Sequence, residues 1–181
     1  NAIQVMRGAE AISSYTSLPR QEAFNIEYWL LEEAKLQRMP RPKVLTGKIA
    51  FVTGSAGGIG KAIAKKMVQE GAVVFLNDND AGRLESATTE FRQQFGKDAF
   101  ESGLLDVTDS TTIHKAFQKT VLAFGGVDIV VNCAGLSISK PLEDHTEADW
   151  DKLYDVLVKG QFLITQAGLE IMRKQNLGGD V

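Results

Sequence analysis

The sequence predicts an α/β fold, a parallel sheet whose strands are joined by crossover helices, and three observations predict it. From Gly47 onward, short β-branched runs alternate with helical patterns, the signature of strand–helix–strand crossovers. Three of those helical patterns stop at glycine, at Gly71, Gly96 and Gly125, the residue that most readily closes a helix. The first apolar run feeds directly into Thr53-Gly54-Ser55-Ala56-Gly57-Gly58-Ile59-Gly60, and a helix opens at the end of that turn. The 181 residues, at roughly 150 per domain, amount to about one domain and a short appendage.

Residues 1–46 read as that appendage. After the polar patch Ser13 to Thr16, a helix is predicted from Pro19 to Met39, with Ala23, Phe24, Ile26, Tyr28, Trp29, Leu30, Leu31, Ala34 and Leu36 forming a wide apolar stripe. Pro40-Arg41-Pro42 stops it. The chain begins at Asn1 rather than Met, so this helix is expected to be the end of something longer upstream.

Residues 47–181 read as the sheet domain. Strands are predicted over Ile49 to Thr53, Val73 to Asn77, Phe100 to Asp106 and Val127 to Asn132, separated by helices near Ile59 to Glu70, Asp80 to Phe95 and Ser110 to Phe124. A last helix is expected to start at Thr146, capped reciprocally with Asp149, and to run to about Gln175, ending before Gly178-Gly179. At 1.5 Å rise its ~30 residues would be about 45 Å long. Trp150, Leu153, Leu157, Phe162, Leu163, Gln166 and Ile171 compete for its buried faces.

Composition narrows the function. Twenty basic against 23 acidic residues give a net charge of -3, and 44% of residues are apolar and 24% charged, the profile of a soluble globular protein. Scattered basic residues in an acidic chain make no field for a nucleic-acid backbone. No apolar run approaches the ~20 residues of a membrane span, so neither nucleic acid nor membrane is an expected partner. The single cysteine, Cys133, has no disulfide partner in this sequence, and no signal-like leader opens it. A cytoplasmic setting follows as the expectation.

The chemistry is concentrated in the glycine turn. Gly54 permits a tight turn, Gly58 permits close approach of a pyrophosphate, and Gly60 permits helix and strand to pack closely, while first-turn amides face the anion. Ser55 and Ile59 lie in the same turn and are assigned to the pyrophosphate. Asp78 follows Gly54 by 24 positions and Gly60 by 18, near the ~20 expected of a carboxylate that takes both ribose hydroxyls. That charge would repel a 2'-phosphate, and neither Gly57 nor Asn79 offers a compensating cation, so NAD is the expected cofactor. The alternative is that Asp78 merely caps the following helix.

With these motifs, residues 46 to 181 resemble the short-chain dehydrogenases/reductases. Asp106-Val107 looks like that family's adenine clamp, and Asn132-Cys133-Ala134-Gly135 like its Asn-Asn-Ala-Gly motif. The resemblance implies a Rossmann-like, doubly wound sheet with strand order 3-2-1-4, and Asn132, Ala134 and Gly135 on the nicotinamide side. Independently of it, Ala134-Gly135 leaves room for a ribose, and Asn132 can tie its strand to a neighbour. The run Leu18 to Trp29, followed by Glu32-Glu33-Ala34-Lys35-Leu36, resembles the linker helix of bifunctional class II aldolase/short-chain dehydrogenase proteins. There an upstream aldolase, typically acting on rhamnulose 1-phosphate, yields lactaldehyde for the dehydrogenase to oxidise with NAD, which implies rhamnose metabolism. A homo-oligomer is implied for the full-length protein, and an aldolase domain upstream.

The resemblance also implies a catalytic Ser and a Tyr followed four positions later by Lys. Here Tyr15, Tyr28 and Tyr154 are followed at that distance by Pro19, Glu32 and Val158, so no catalytic residue is assigned. The chain is expected to hold the cofactor without turning over. Gly179-Asp180-Val181 falls where a fifth strand is expected to begin, and a chain cut there would leave the Asp128 to Val131 ladder open on one side. Leu157 stands where most members carry an Asn that helps hold a relay water. A nucleotide-binding module without chemistry, and an NADP-dependent reductase, are the alternatives. Cys133 reads as a small core residue rather than a nucleophile. His114 and His145 read as a helix-surface and a loop residue, with no metal site. Ser137 and Ser139 either line a substrate pocket or belong to an ordinary polar loop.

Overall fold

The computed structural model describes residues 19–27, 30–39 and 41–181. The chain divides into two compact units, Asn1–Arg41 and Pro42–Val181. In the first, α1 spans Arg20–Glu27 and α2 spans Leu30–Arg38. The helix expected over Pro19 to Met39 is thus described in two segments, and Tyr28, Trp29 and the Ser13 to Thr16 patch lie outside the described residues.

In the second unit the elements alternate as the β-branched runs dictate: β1 Ile49–Val52, α3 Gly58–Gln69, β2 Val73–Asp78, α4 Ala81–Phe95, β3 Phe100–Leu104, α5 Ser110–Phe124 and β4 Ile129–Val131. All pairings are parallel, in the order β3-β2-β1-β4. Register is set in the centre by Phe51 opposite Phe75 and Val130. Successive strand residues point to opposite faces, so two apolar layers form. Phe51, Phe75 and Val130 meet α5 through Phe117, with Phe51 and Phe117 stacked at 4.0 Å between ring centroids. Val52, Val74 and Leu76 meet Ala64, Leu84 and Phe91 on the other face. Gly71, Gly96 and Gly125 all take positive φ where the helices stop.

The last helix departs from its expected form. It runs as α6 Glu147–Tyr154 and α7 Gly160–Gln175, joined by one π turn over Asp155–Lys159. The reciprocal cap of Thr146 and Asp149 is present. The helix ends at Asn176, in the left-handed region at φ 55, before the expected glycines. Its buried face is not the bulky one: Gly160, Ile164, Ala167, Gly168 and Met172 are buried, whereas Trp150 and Phe162 are exposed. The cause is close approach to the sheet. A Cβ on Gly160 would lie 2.8 Å from a Val107 methyl, and one on Gly168 the same distance from Val130, so at these two positions no side chain fits, while Ile164 and Met172 fill the space between and beyond them. Leu163 and Ile171 pack at its margins.

At the far end of the chain, the Asp180 amide donates to the Asp128 carbonyl and the Val130 amide to the Asp180 carbonyl, both at 2.9 Å. The outer side of β4, expected to be open, therefore carries a parallel bridge between Ile129 and Asp180. Asn132 does not tie β4 to a neighbouring strand as expected; its Nδ2 donates to Thr165 Oγ1 of α7 at 3.2 Å. The strand tie comes from Thr53, which is 1% exposed. Its hydroxyl accepts from the amides of Cys133 and Ala134 and donates to the Val131 carbonyl.

Replacing Thr53 by Val keeps the shape and strips that hydroxyl of three contacts. Unsatisfied buried groups cost about 1–3 kcal/mol each, so T53V is expected to lower the unfolding free energy by at least that amount, read as a lower urea midpoint with an unchanged m value. An unshifted midpoint would show that the tie is dispensable.

Candidate functional site

A cleft of about 380 Å³ opens at the carboxyl ends of the strands, where ligands bind in open α/β sheets. Its first wall is the turn from β1 into α3. Gly54 has φ +62, and a Cβ there would be 3.0 Å from the Ala134 Cα; a Cβ on Gly60 would be 2.4 Å from the Gly54 carbonyl oxygen. Backbone thus meets backbone across the turn. Gly58 is the opposite case, with nothing within 4 Å of the position its Cβ would take. The amides of Gly58, Ile59 and Gly60 lie in the first turn of α3, where a helix supplies no acceptor. The cap residue Gly57 gives no side-chain bond. The result is a bare helix start lining the cleft, with open space at Gly58, an arrangement suited to an anion.

The second wall is the end of β2. Asp78 is buried, at 5% exposure, and its Oδ1 accepts from the Asp80 amide at 3.0 Å and from Arg83 Nη2 at 3.2 Å. Capping of α4 falls to Asp80, whose Oδ1 accepts from the Arg83 amide at 2.9 Å. That amide, followed by the Arg83 charge, holds the Asp80 carboxyl below its usual range. Arg83 lines the cleft beside Asp78 and Asn79. Gly57 and Asn79 offer no cation, as expected, and the charge beside the acid is supplied by Arg83 instead. The helix brings Arg83 back to the carboxylate from five positions on, although the adjoining residue in sequence, Asn79, is neutral.

Leu105, Asp106 and Val107 form the third wall, and Cys133, Ala134, Gly135 and Val156 the fourth. Asp106 is braced by its own turn, its Oδ1 accepting from the Thr108 amide at 2.9 Å and hydroxyl at 2.7 Å. Burial pushes the Cys133 thiol up, which favours the neutral form. Leu157 packs toward this wall, since a Cβ on Gly135 would lie 3.2 Å from its Cδ2.

Of the residues singled out from sequence, Gly54, Gly58, Ile59, Gly60, Asp78, Asp106, Val107, Ala134 and Gly135 converge on this one cleft. Ser55 and Asn132 do not line it. Ser55 is fully buried; its hydroxyl donates to the Asn77 carbonyl at 3.1 Å and accepts from the Asn77 amide at 2.7 Å, so it clamps β2 rather than facing a ligand. Ser137 and Ser139 are exposed and stand outside the cleft wall. His114 Nδ1 lies 2.6 Å from the Ser110 carbonyl on the surface of α5. Among the described residues no cluster suited to a metal ion occurs, and no helix is long and apolar enough to cross a membrane.

Sequence reasoning missed Asn77 as well as Arg83. Asn77 borders the cleft, is fully buried, and neither its Oδ1 nor its Nδ2 has a partner among the described residues. An apolar run ending in Asn-Asp is the available signal, since a polar residue closing a buried strand needs a reason to be there.

Residues 48–181 match the family described as short chain dehydrogenase. The chain belongs to the short-chain dehydrogenase family. Residues 1–36 match the family described as aldolase class II, second domain. The uncharacterized oxidoreductase YuxG of Bacillus subtilis strain 168 is 36% identical over 99% of this chain and 26% of its own length. An uncharacterized oxidoreductase of Staphylococcus aureus strain N315 is 38% identical over 75% of this chain and 57% of its own. The short-chain dehydrogenase thus spans between a quarter and three-fifths of these relatives. The apo form of LigO from Sphingobium sp. strain SYK-6 superposes with a TM-score of 0.69 at 33% identity, covering 75% of this chain and 50% of that one.

The two glycines make a paired prediction. G60A must displace backbone, so a loss of about 1–3 kcal/mol in thermal or urea unfolding is expected. G58A meets open space and replaces a helical glycine, so stability is expected to hold or rise by roughly 0.5–1 kcal/mol. Equal losses in the two variants would refute the cradle geometry.

Proposed function

We propose that this short-chain dehydrogenase binds NAD in the cleft and supplies the cofactor-binding portion of an oxidoreductase that moves hydride between nicotinamide and a small aldehyde or alcohol. The observation that carries the reading is one cleft joining two features: an open cradle at Gly58 and a buried carboxylate, Asp78, at the end of β2. The residues present fit a dinucleotide. Gly54, Gly58, Ile59 and Gly60 hold the pyrophosphate through main-chain amides, Asp78 takes ribose hydroxyls, Asp106 and Val107 flank the adenine, and Ala134 and Gly135 leave space on the nicotinamide side. Asn132 acts from behind, by fixing the strand end to α7. When bound, the nicotinamide supplies or accepts the hydride. Proton transfer is assigned to no residue of this chain, because none of its tyrosines is followed four positions on by lysine.

The finer substrate reading is lactaldehyde, with an aldolase partner in the same polypeptide, a homo-oligomeric assembly and a cytoplasmic setting. The match of residues 1–36 to the aldolase family supports the partner. A second reading, a nucleotide-binding module without chemistry, is favoured by Leu157 at the cleft wall, which cannot hold a water by its side chain.

Calorimetric titration with NAD tests the leading reading. Hydrogen bonds to charged groups contribute about 1.5–3 kcal/mol, so D78A is expected to weaken binding by roughly ten- to a hundredfold, and G58A to weaken it without loss of stability. No binding heat from the parent chain at millimolar NAD would end the proposal. Cys133 gives an independent readout: alkylation by iodoacetamide at neutral pH is expected to be slower than for an unperturbed thiol, whose pKa is about 8.5, and slower still with NAD bound. Labelling indifferent to NAD would place the nucleotide elsewhere.

A further inference from the structure

We propose that Lys119 and Glu101 lock the free edge of the sheet, and that without them a second copy of this chain pairs with β3 strand to strand. The inference does not depend on what the cleft binds. β3 closes the sheet on one side, and among the described residues no strand pairs with its outer flank. An uncovered edge is a row of donors and acceptors ready for another chain.

Which groups face outward follows from the register. In a parallel ladder a residue turns both of its backbone groups to one neighbour, and the next residue turns them the other way. The Val74 amide donates to the Ala99 carbonyl at 3.1 Å and the Leu105 amide to the Asp78 carbonyl at 3.0 Å. Ala99 and Leu105 therefore face β2, as do Glu101 and Gly103 between them, while Phe100, Ser102 and Leu104 face out. Ser102 is the centre of that outward row, and both of its backbone groups are taken. Its amide donates to Glu101 Oε1 at 2.8 Å, and its carbonyl accepts from Lys119 Nζ at 2.6 Å. The same Nζ reaches Glu101 Oε1 at 3.2 Å, which closes the clasp. The Ser102 amide first, and Lys119 with it, hold the Glu101 carboxyl below its usual range.

The clasp is poorly placed to stabilise the fold, because Lys119 is 52% and Glu101 42% exposed and an exposed ion pair adds little. What the two side chains achieve is occupancy. Phe100 and Leu104 stand about 13 Å apart along the strand, so an incoming strand denied Ser102 has no two successive outward positions to bond. A second β3 running antiparallel about Ser102 would need that residue's amide and carbonyl for its central pair, and those are the two groups withheld.

The double variant E101T/K119M removes one charge of each sign, so net repulsion between copies is unchanged. Met keeps the stem of Lys119, whose Cδ lies 3.9 Å from the position of a Cβ on Gly103. Sedimentation velocity of the full chain over a concentration series, with hydrogen exchange of residues 100–105, reads the outcome. E101T/K119M is expected to gain an association step absent from the parent chain, raising the weight-average mass about twofold at high concentration and slowing exchange in that segment. K119M alone is expected to show a smaller rise, and it carries the test should circular dichroism find the double variant unfolded. Adding S102P removes the outward amide without breaking the ladder, since that amide donates nothing to β2, and is expected to restore the parent's mass. L104K, which sets a charge on the same edge, is expected to do likewise. A folded E101T/K119M with the parent's mass at every concentration overturns the proposal. Association that persists in both the S102P and the L104K backgrounds overturns it too, because the contact then lies elsewhere on the chain.

Discussion

Everything at the carboxyl end of the sheet depends on one steric constraint, the contact of bare backbone with bare backbone where β1 turns into α3. The Gly54 carbonyl occupies the space that a side chain on Gly60 would need, and Gly54 itself faces the chain at Ala134. Because these three segments touch without side chains between them, the helix can begin close to the strand end. Its first amides are therefore delivered to the cleft rather than buried behind a methyl group. The glycines cost conformational entropy on folding, and the polar ties around them offset it: Thr53 holds the strand end of β4, and Ser55 clamps both the amide and the carbonyl of Asn77.

Those ties explain why a sheet of short strands holds a definite register. β4 has only three residues and a single deeply buried one, Val130, so apolar contact alone leaves it weakly specified. Polar groups fix both ends. At the amino end, Asp128 Oδ2 accepts from the Ile49 amide at 2.9 Å, and the Gln175 side chain both donates to and accepts from the backbone of Val127. At the carboxyl end the Thr53 hydroxyl performs the same service. The aromatic stack of Phe75, Phe51 and Phe117 then fills the layer between, and α7 lies against it through residues small enough to let the helix approach.

The helix boundaries were legible because alternation and glycine stops are local signals, whereas the strand order came from the family resemblance. Gly58 to Gln69, Ala81 to Phe95 and Ser110 to Phe124 fall within a residue or two of the expected spans. The buried face of the last helix was not legible, since a search for bulky apolar residues selects Trp150 and Phe162, which are exposed. The true determinant is the distance between helix and sheet, a tertiary quantity that favours Gly160 and Gly168. In the cleft, main-chain ligands could be read from glycine spacing, whereas side-chain roles were harder. Ser55 shares the turn with cleft residues yet points into the sheet, and Arg83 is brought to Asp78 by a helical turn that no inspection of adjoining residues would reveal.

The two ends of the sheet are unequal in how well their polar groups are satisfied, and that inequality is the strongest physical argument for where a ligand belongs. At the amino end, the Ile49 and Val127 amides have side-chain partners, and Lys48 accompanies Asp128 at 3.6 Å. At the carboxyl end, the first turn of α3 lines the cleft with open space at Gly58, a carboxylate is buried at the wall, and the Asn77 amide group is buried with neither atom bonded among the described residues. An unsatisfied buried group costs about 1–3 kcal/mol. A sequence able to place Thr53, Ser55 and Asp128 where backbone needs partners does not leave such groups unmet for want of side chains. Departures from local consistency of this kind concentrate where a site has work to do. Here they gather around a cleft whose walls alternate between donors, in the α3 amides and Arg83, and an acceptor in Asp78, the complement required by a molecule that is anionic at its centre and rich in hydroxyls at its flank.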